Sequence, residues 1–447
     1  MFIDNRELKA LYRLALPVIV GQLGHKMMGI VDSLMVGRLG ATSLAAAGLA
    51  NSIFALAMLV GYGFSLALTP LIARANSEGN KSEGSRILRQ GLILNLFFGF
   101  IMLIISYSSS FLIMYLNQPP QIVDMSVSYL KILSISLIPI MFFQTFKQFA
   151  EGLSIVKPAM GITLFANIFN ILANWVFIFG NLGVPAMGLK GAGIATFISR
   201  TFMAVAMLLY FLYAKKLTPY CINFSLKNLD WKLFQKILRI GLPASIQYFF
   251  EVSVFSLAAV MIGWLGTKEL AAHQIAISLA SFTYMFVWGI SAAAAVRVAS
   301  ALGKKDLLLV RKAGLAAFLL GNLVMAGFAL IFIFGRKLLP SLYISDAEVI
   351  QIASSLLIIA AFFQISDATQ TVGLGALRGL SDMKIPTLIT FIAYWMVGLP
   401  TGYFLAFNLN FGVNGIWLGL MAALSASAIL LARRFHIQSQ NEHIFHN

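Results

Sequence analysis

Three carboxylates stand inside stretches of this sequence that are otherwise apolar: Asp32, Glu251 and Asp367. A charge at the centre of a membrane-spanning helix costs about 2.5–3.5 kcal/mol on insertion scales, so it tends to persist where something uses it. What a lone intramembrane carboxylate does well is to take up and release a cation, because its charge is costly when bare and cheap when neutralised. The competing reading is an ion pair with an intramembrane base such as Lys26, Lys131, Arg200 or Arg297, serving only to hold helices together. None of the three acids has a base three or four residues away, the spacing that pairs charges on one helix.

A second polar signal is the segment NIFNILANW, where Asn167, Asn170 and Asn174 recur at spacings of three and four and so share one helix face. Such a stripe offers carbonyl oxygens to a cation or closes a hydrogen-bond network with Asp32. Intramembrane asparagines also tie helices together, and Asn167 suits that role equally well. His25 and His273 lie in apolar runs without metal-site spacing, which reads as hydrogen-bonded core histidine. There is no GxxxxGK[ST] loop, no glycine-rich turn after a strand and no nucleophile with an adjacent base. ATP-driven transport within this chain and intramembrane enzyme chemistry therefore find no support. No cofactor is expected, only a coupling ion.

These residues need helices to hold them. Of 447 residues, 60% are hydrophobic and only 11% charged, more apolar surface than a soluble core of this size could hide. Runs of about twenty apolar residues occur at 11–36, 45–73, 90–116, 126–150, 158–180, 190–214, 240–264, 271–301, 313–338, 348–377, 385–408 and 411–432, predicting an all-α membrane protein of twelve transmembrane helices. The net charge of +16 sits in short loops, where it sets orientation and meets anionic lipid rather than nucleic acid. Basic residues crowd the segments on one side, including the 215–239 connection, while the opposite loops carry only Arg38, Lys190, Lys268, Arg336 and Lys337. That bias places both termini in the cytoplasm, and the first apolar run, with no small-residue cleavage site, reads as an uncleaved helix. The single Cys221 can form no internal disulfide.

The chain is duplicated. LPVIVGQLGHKMMGIVDSLMVGRLG from Leu16 returns 226 residues on as LPASIQYFFEVSVFSLAAVMIGWLG, with Pro243 opposite Pro17 and Gly266 opposite Gly40. Gly63 and Ser65 answer to Gly289 and Ser291, and EGLSIVK at 151–157 answers to RGLSDMK at 378–384. Six helices per copy is even, so the halves enter the membrane in the same sense and are related by a pseudo-twofold along the membrane normal. The expected organisation is an N-lobe over 1–214, a cytoplasmic linker over 215–239, a C-lobe over 240–434 and a cytoplasmic tail over 435–447, with Pro17 and Pro243 as helix hinges. The linker's basic, amphipathic tail is suited to lie on the inner surface. The copies have diverged: Ala258 stands opposite Asp32, His25 opposite Glu251, and Tyr394, Val397 and Thr401 opposite the asparagines. The asparagine stripe thus belongs to the first half alone, and each half has its own polar cluster.

With these residues the chain resembles the multidrug and toxic compound extrusion transporters, most closely their NorM-type bacterial branch. GIVDSLMVGRLG, EGLSIVKPAM, NIFNILANWVFIFG, GAGIATFISR, FFEVSVFSLAAV, LAAHQIA and ISDATQTVGLGALRG carry the resemblance over nearly the whole chain. It implies a two-lobed, V-shaped monomeric antiporter of the inner membrane that exports organic, often cationic compounds against an inward flow of sodium ions or protons. It also implies that Asp32, Asn170, Asn174 and Thr196 form an N-lobe cation site able to take sodium, and that Glu251 and Asp367 form a C-lobe cation site. One departure is Phe363, one turn before Asp367, where the family pattern leads one to expect a tyrosine; the lost hydroxyl weakens a sodium site there. A lipid-linked saccharide flippase of the same superfamily would want a strongly cationic lumen, which the intramembrane acids oppose. Composition alone leaves a receptor or channel open, but the parallel duplication favours alternating access.

Overall fold

The structure, a computed structural model, describes residues 5–115, 119–220 and 230–445. Cys221 and residues 221–229 of the expected linker lie outside the described residues. Among the described residues, twelve helical segments are long and apolar enough to cross a membrane: Asn5–Gly37, Ala41–Ser77, Lys81–Tyr115, Pro120–Gly152, Lys157–Phe179, Gly188–Tyr213, Trp231–Gly263, Thr267–Gly303, Leu307–Gly335, Ala347–Gly379, Lys384–Asn408 and Gly412–Gln438. Each apolar run read from the sequence falls on one of these spans, counted below from first to twelfth.

The seventh span begins at Trp231, so residues 231–239 are its opening turns and continuous with the membrane helix. Asp230 caps it: Oδ1 accepts from the backbone N–H groups of Lys232 at 2.9 Å and Leu233 at 3.3 Å, satisfying donors that a helix start leaves bare. The Asp230 carboxylate also pairs with Arg86 of the third span. Gly40 at φ +110° and Gly266 at φ +155° precede the second and eighth spans. Both sit in backbone territory that a side chain disfavours, which accounts for a glycine at this point in both copies.

Departures from regular helix fall near polar residues. The second span breaks between Ser65 and Leu68 and the fourth at Ser136. In the eleventh, Lys384–Phe391 is α-helical, Ile392–Gly398 widens to a π-helix, Leu399–Tyr403 returns to α and Phe404–Asn408 widens again. Pro400, which has no N–H to give to the ladder, lies between the two wide turns. Tyr394, in the first of them, is fully buried.

The chain forms two compact units, Val20–Ser245 and Met1–Ile19 with Ile246–Asn447. Each change of unit falls within an opening helix, two residues past Pro17 in the first span and past Pro243 in the seventh. In the Val20–Ser245 unit, Phe146 and Phe149 of the fourth span pack on Phe211 at 5.1 and 5.6 Å between ring centres. In the other unit Trp417 stacks on Phe363 at 5.6 Å and gives its indole N–H to His273 Nδ1 at 3.2 Å, so His273 is the hydrogen-bonded core residue expected of it. Large apolar side chains such as Phe165 and Phe334 remain exposed, as a lipid-facing surface requires.

Candidate cation sites in the two units

In the Val20–Ser245 unit the first, fifth and sixth spans bring four of the expected residues together. Asn174 Nδ2 donates to Asp32 Oδ1 at 2.5 Å and to Asn170 Oδ1 at 3.1 Å. Thr196 Oγ1 lies 3.4 Å from Asp32 Oδ2 and 3.0 Å from the Ala192 carbonyl of its own helix. Asn170 and Asn174 are wholly buried, Thr196 nearly so, and Asp32 half-buried. The 3.6-residue period turns both asparagines toward Asp32. Asn167, one turn earlier, instead gives its amide to the Gly24 carbonyl at 2.9 Å, the helix-tying role. His25 lies edge-on to Phe143, 6.4 Å between ring centres.

The second cluster lies in the other unit. Glu251 on the seventh span and Asp367 on the tenth are both buried, and each lies within the other's electrostatic reach. Gln247 Nε2 stands 3.4 Å from Glu251 Oε2 and Gln370 Nε2 3.5 Å from Glu251 Oε1. Gln370 and Tyr394 exchange two bonds, Gln370 Nε2 to Tyr394 Oη at 2.8 Å and Tyr394 Oη to Gln370 Oε1 at 3.1 Å. Thr371 Oγ1 gives a 3.3 Å bond to Asp367 Oδ1. Phe363, 3% exposed, spends its face on Trp417 and offers the acids no oxygen.

The intramembrane bases go elsewhere. Arg297 forms a two-pronged pair with Glu7 at 2.6 and 3.1 Å. Arg200 donates to Ser136 Oγ at 2.5 Å and lies over the Phe54 ring, while Lys131 lies over Tyr107 and Phe111. Among the described residues no ion pair includes Asp32, Glu251 or Asp367. The hydrogen bonds to the acids thus come from neutral groups, with Arg200 acting on Asp32 only through its longer-range field, an arrangement that suits a mobile cation. The first cluster presents carboxylate, amide and hydroxyl oxygens, a set suited to a hard cation such as sodium. Asn174 Oδ1, buried and without a partner among the described residues, is an acceptor still to be used.

Sequence reasoning passed over Gln247, Gln370 and a buried pair in the fourth span, Lys147 and Glu151 at 3.8 Å. The signal was present each time: an amide or a charge three or four residues from an acid. In the sequence Tyr394 is only the repeat-mate of Asn167, and packing gives it a place in the second half's own cluster.

The MatE family profile matches the chain twice, over residues 17–176 and 243–404. The step between the matches is that of the internal repeat. A multidrug resistance protein NorM of Photobacterium profundum is 36% identical over 98% of this chain and 97% of its own length. A multidrug resistance protein MdtK of Yersinia enterocolitica is 34% identical over 96% and 95%. Among solved structures, a eukaryotic MATE transporter superposes with a TM-score of 0.87 at 21% identity, covering 98% of both chains. A MATE protein in a bent conformation superposes with a TM-score of 0.90 at 19% identity, covering 97% of this chain and 96% of its own.

Proposed function

The chain belongs to the MatE family, and on that premise we propose that it is a secondary active antiporter exporting small organic, often cationic compounds in exchange for sodium ions or protons. The observation that carries this reading is the set of three acids, Asp32 half-buried and Glu251 and Asp367 buried, held by amides and hydroxyls with no ion-pair partner among the described residues. A coupling cation neutralises an acid, the helix carrying it repacks, and access alternates between the two sides of the membrane. The halves 1–214 and 240–434, joined by 215–239, act as two lobes, with Pro17 and Pro243 as the hinges of their opening helices. In this scheme Asp32, Asn170, Asn174 and Thr196 hold one cation and Glu251 with Asp367 another. The protein works as a monomer in the inner membrane, termini in the cytoplasm, with lipid around it and no ATP or prosthetic group.

The test is export of cationic dyes from proteoliposomes under an imposed sodium or proton gradient. An inward gradient of one of these ions should accelerate export, and Asp32→Asn or Glu251→Gln should abolish the acceleration in protein that still folds. Export indifferent to both gradients would remove the antiporter reading.

A further inference from the structure

Of the two amides beside Glu251, one has an idle arm. Gln247 is 1% exposed; its Nε2 faces Glu251 Oε2 at 3.4 Å, while its Oε1 is buried with no partner among the described residues. Gln370, which faces the other oxygen of Glu251, has both arms engaged by Tyr394. The remaining titratable groups in electrostatic reach of Glu251 are Asp367 on the tenth span, Tyr284 on the eighth and Tyr394 on the eleventh, and Tyr248 on its own helix acts on Tyr284.

A carboxylate only accepts hydrogen bonds, whereas a carboxylic acid carries one O–H that must donate, and an amide NH₂ cannot receive it. A proton on Oε1 would set that O–H against the Gln370 amide, whose half-turn would have to break and remake both of its bonds to Tyr394. A proton on Oε2 would meet Gln247, whose half-turn about its last single bond brings the idle Oε1 to the acid and breaks no other bond. We propose that Gln247 is a positioning residue that turns over with Glu251, donating to the carboxylate and accepting from the acid once a proton arrives from the aqueous side and settles on Oε2. This rests on the antiporter reading.

The test is infrared difference spectroscopy of the full-length protein in lipid across a pH change, beside proton-driven export. The wild type should show a protonated-carboxyl band that Glu251→Leu removes. In Gln247→Met, which has similar length and neither donor nor acceptor, that band should move to higher wavenumber and export should fall about tenfold, the loss of one net hydrogen bond. An unmoved band with wild-type export overturns the proposal. Should Gln247→Met fail to fold, wild-type protein carrying isotope-labelled glutamine decides: a side-chain amide band that follows pH and is lost in Glu251→Leu supports it, and one indifferent to pH refutes it. Proton-driven export surviving in Glu251→Leu would take Glu251 out of the coupling and overturn the proposal, whereas wild-type export indifferent to ion gradients would instead sink the antiporter reading.

Discussion

Gly63 lies so close to Ser245 that a Cβ on the glycine would stand 2.4 Å from the serine Cα, and Ser245 Oγ closes the contact by donating to the Val60 carbonyl at 2.8 Å. The repeat-mates do the same in the other unit, where a Cβ on Gly289 would meet Ile19 Cγ1 at 2.4 Å. Each contact is two residues past a helix proline, at the point where its helix changes unit.

Gly63→Val should therefore push the seventh span off the second, destabilising the protein by about 1–3 kcal/mol as overpacking does, with Gly289→Val alike. Thermal unfolding in detergent measures this; wild-type midpoints for both would show that the contacts yield freely.

Asn174→Leu removes the shortest hydrogen bond to Asp32, that from Asn174 Nδ2 at 2.5 Å. A charge-assisted hydrogen bond contributes about 1.5–3 kcal/mol, so export should fall by about one to two orders of magnitude while the protein still inserts. Asn167→Leu, outside the cluster, should lower stability more than export. Equal effects of the two on export would dissolve the distinction.

With Phe363 stacked on Trp417, the Glu251 and Asp367 cluster lacks the hydroxyl that the family pattern leads one to expect there, and we propose that sodium binds at the Asp32 cluster and a proton at the other pair. The expected result is sodium-driven export, at equal pH on both sides, lost in Asp32→Asn and partly kept in Asp367→Asn. The reverse pattern would overturn the assignment. If Glu251 and Asp367 serve one cation, Glu251→Gln with Asp367→Asn should be little worse than either alone.

Lys147 and Glu151 are both more than nine-tenths buried. Removing one partner of a buried pair costs about 3–5 kcal/mol, whereas replacing both by apolar groups is often neutral. Lys147→Met should thus unfold readily and Lys147→Met with Glu151→Leu should recover. Failure of the double variant to recover would give the pair a role beyond its own neutrality.

Asp346 caps the tenth span, and hydrogen bonds from the backbone N–H groups of Val349 and Glu348 hold its carboxyl below the ordinary value. Its stabilising share is therefore complete above the unfolded value of about 3.9 and disappears as pH falls through the lower native value. Unfolding midpoints of wild type and Asp346→Ala should differ near neutrality and converge in acid; a constant difference would show that the charge is immaterial.

The twelve spans were legible because the bilayer acts on local composition: a helix must satisfy its own backbone and face lipid, and twenty apolar residues record that demand directly. The duplication, the three costly acids and the one-faced asparagines were equally local, being matters of period and offset. Partners were not. Asn174 and Asp32 are 142 residues apart, and Arg297 and Glu7 290. Helical spacing sets the direction of each side chain on its own helix, but the neighbour it meets depends on how separate helices pack. Packing sent Arg297 to Glu7 rather than to an acid of the candidate sites, brought Tyr394 to Gln370, and carried the change of unit into the middle of two unbroken helices. A proline marks those two points in the sequence, but only contacts made by residues far apart in the chain determine which side of it belongs to which unit.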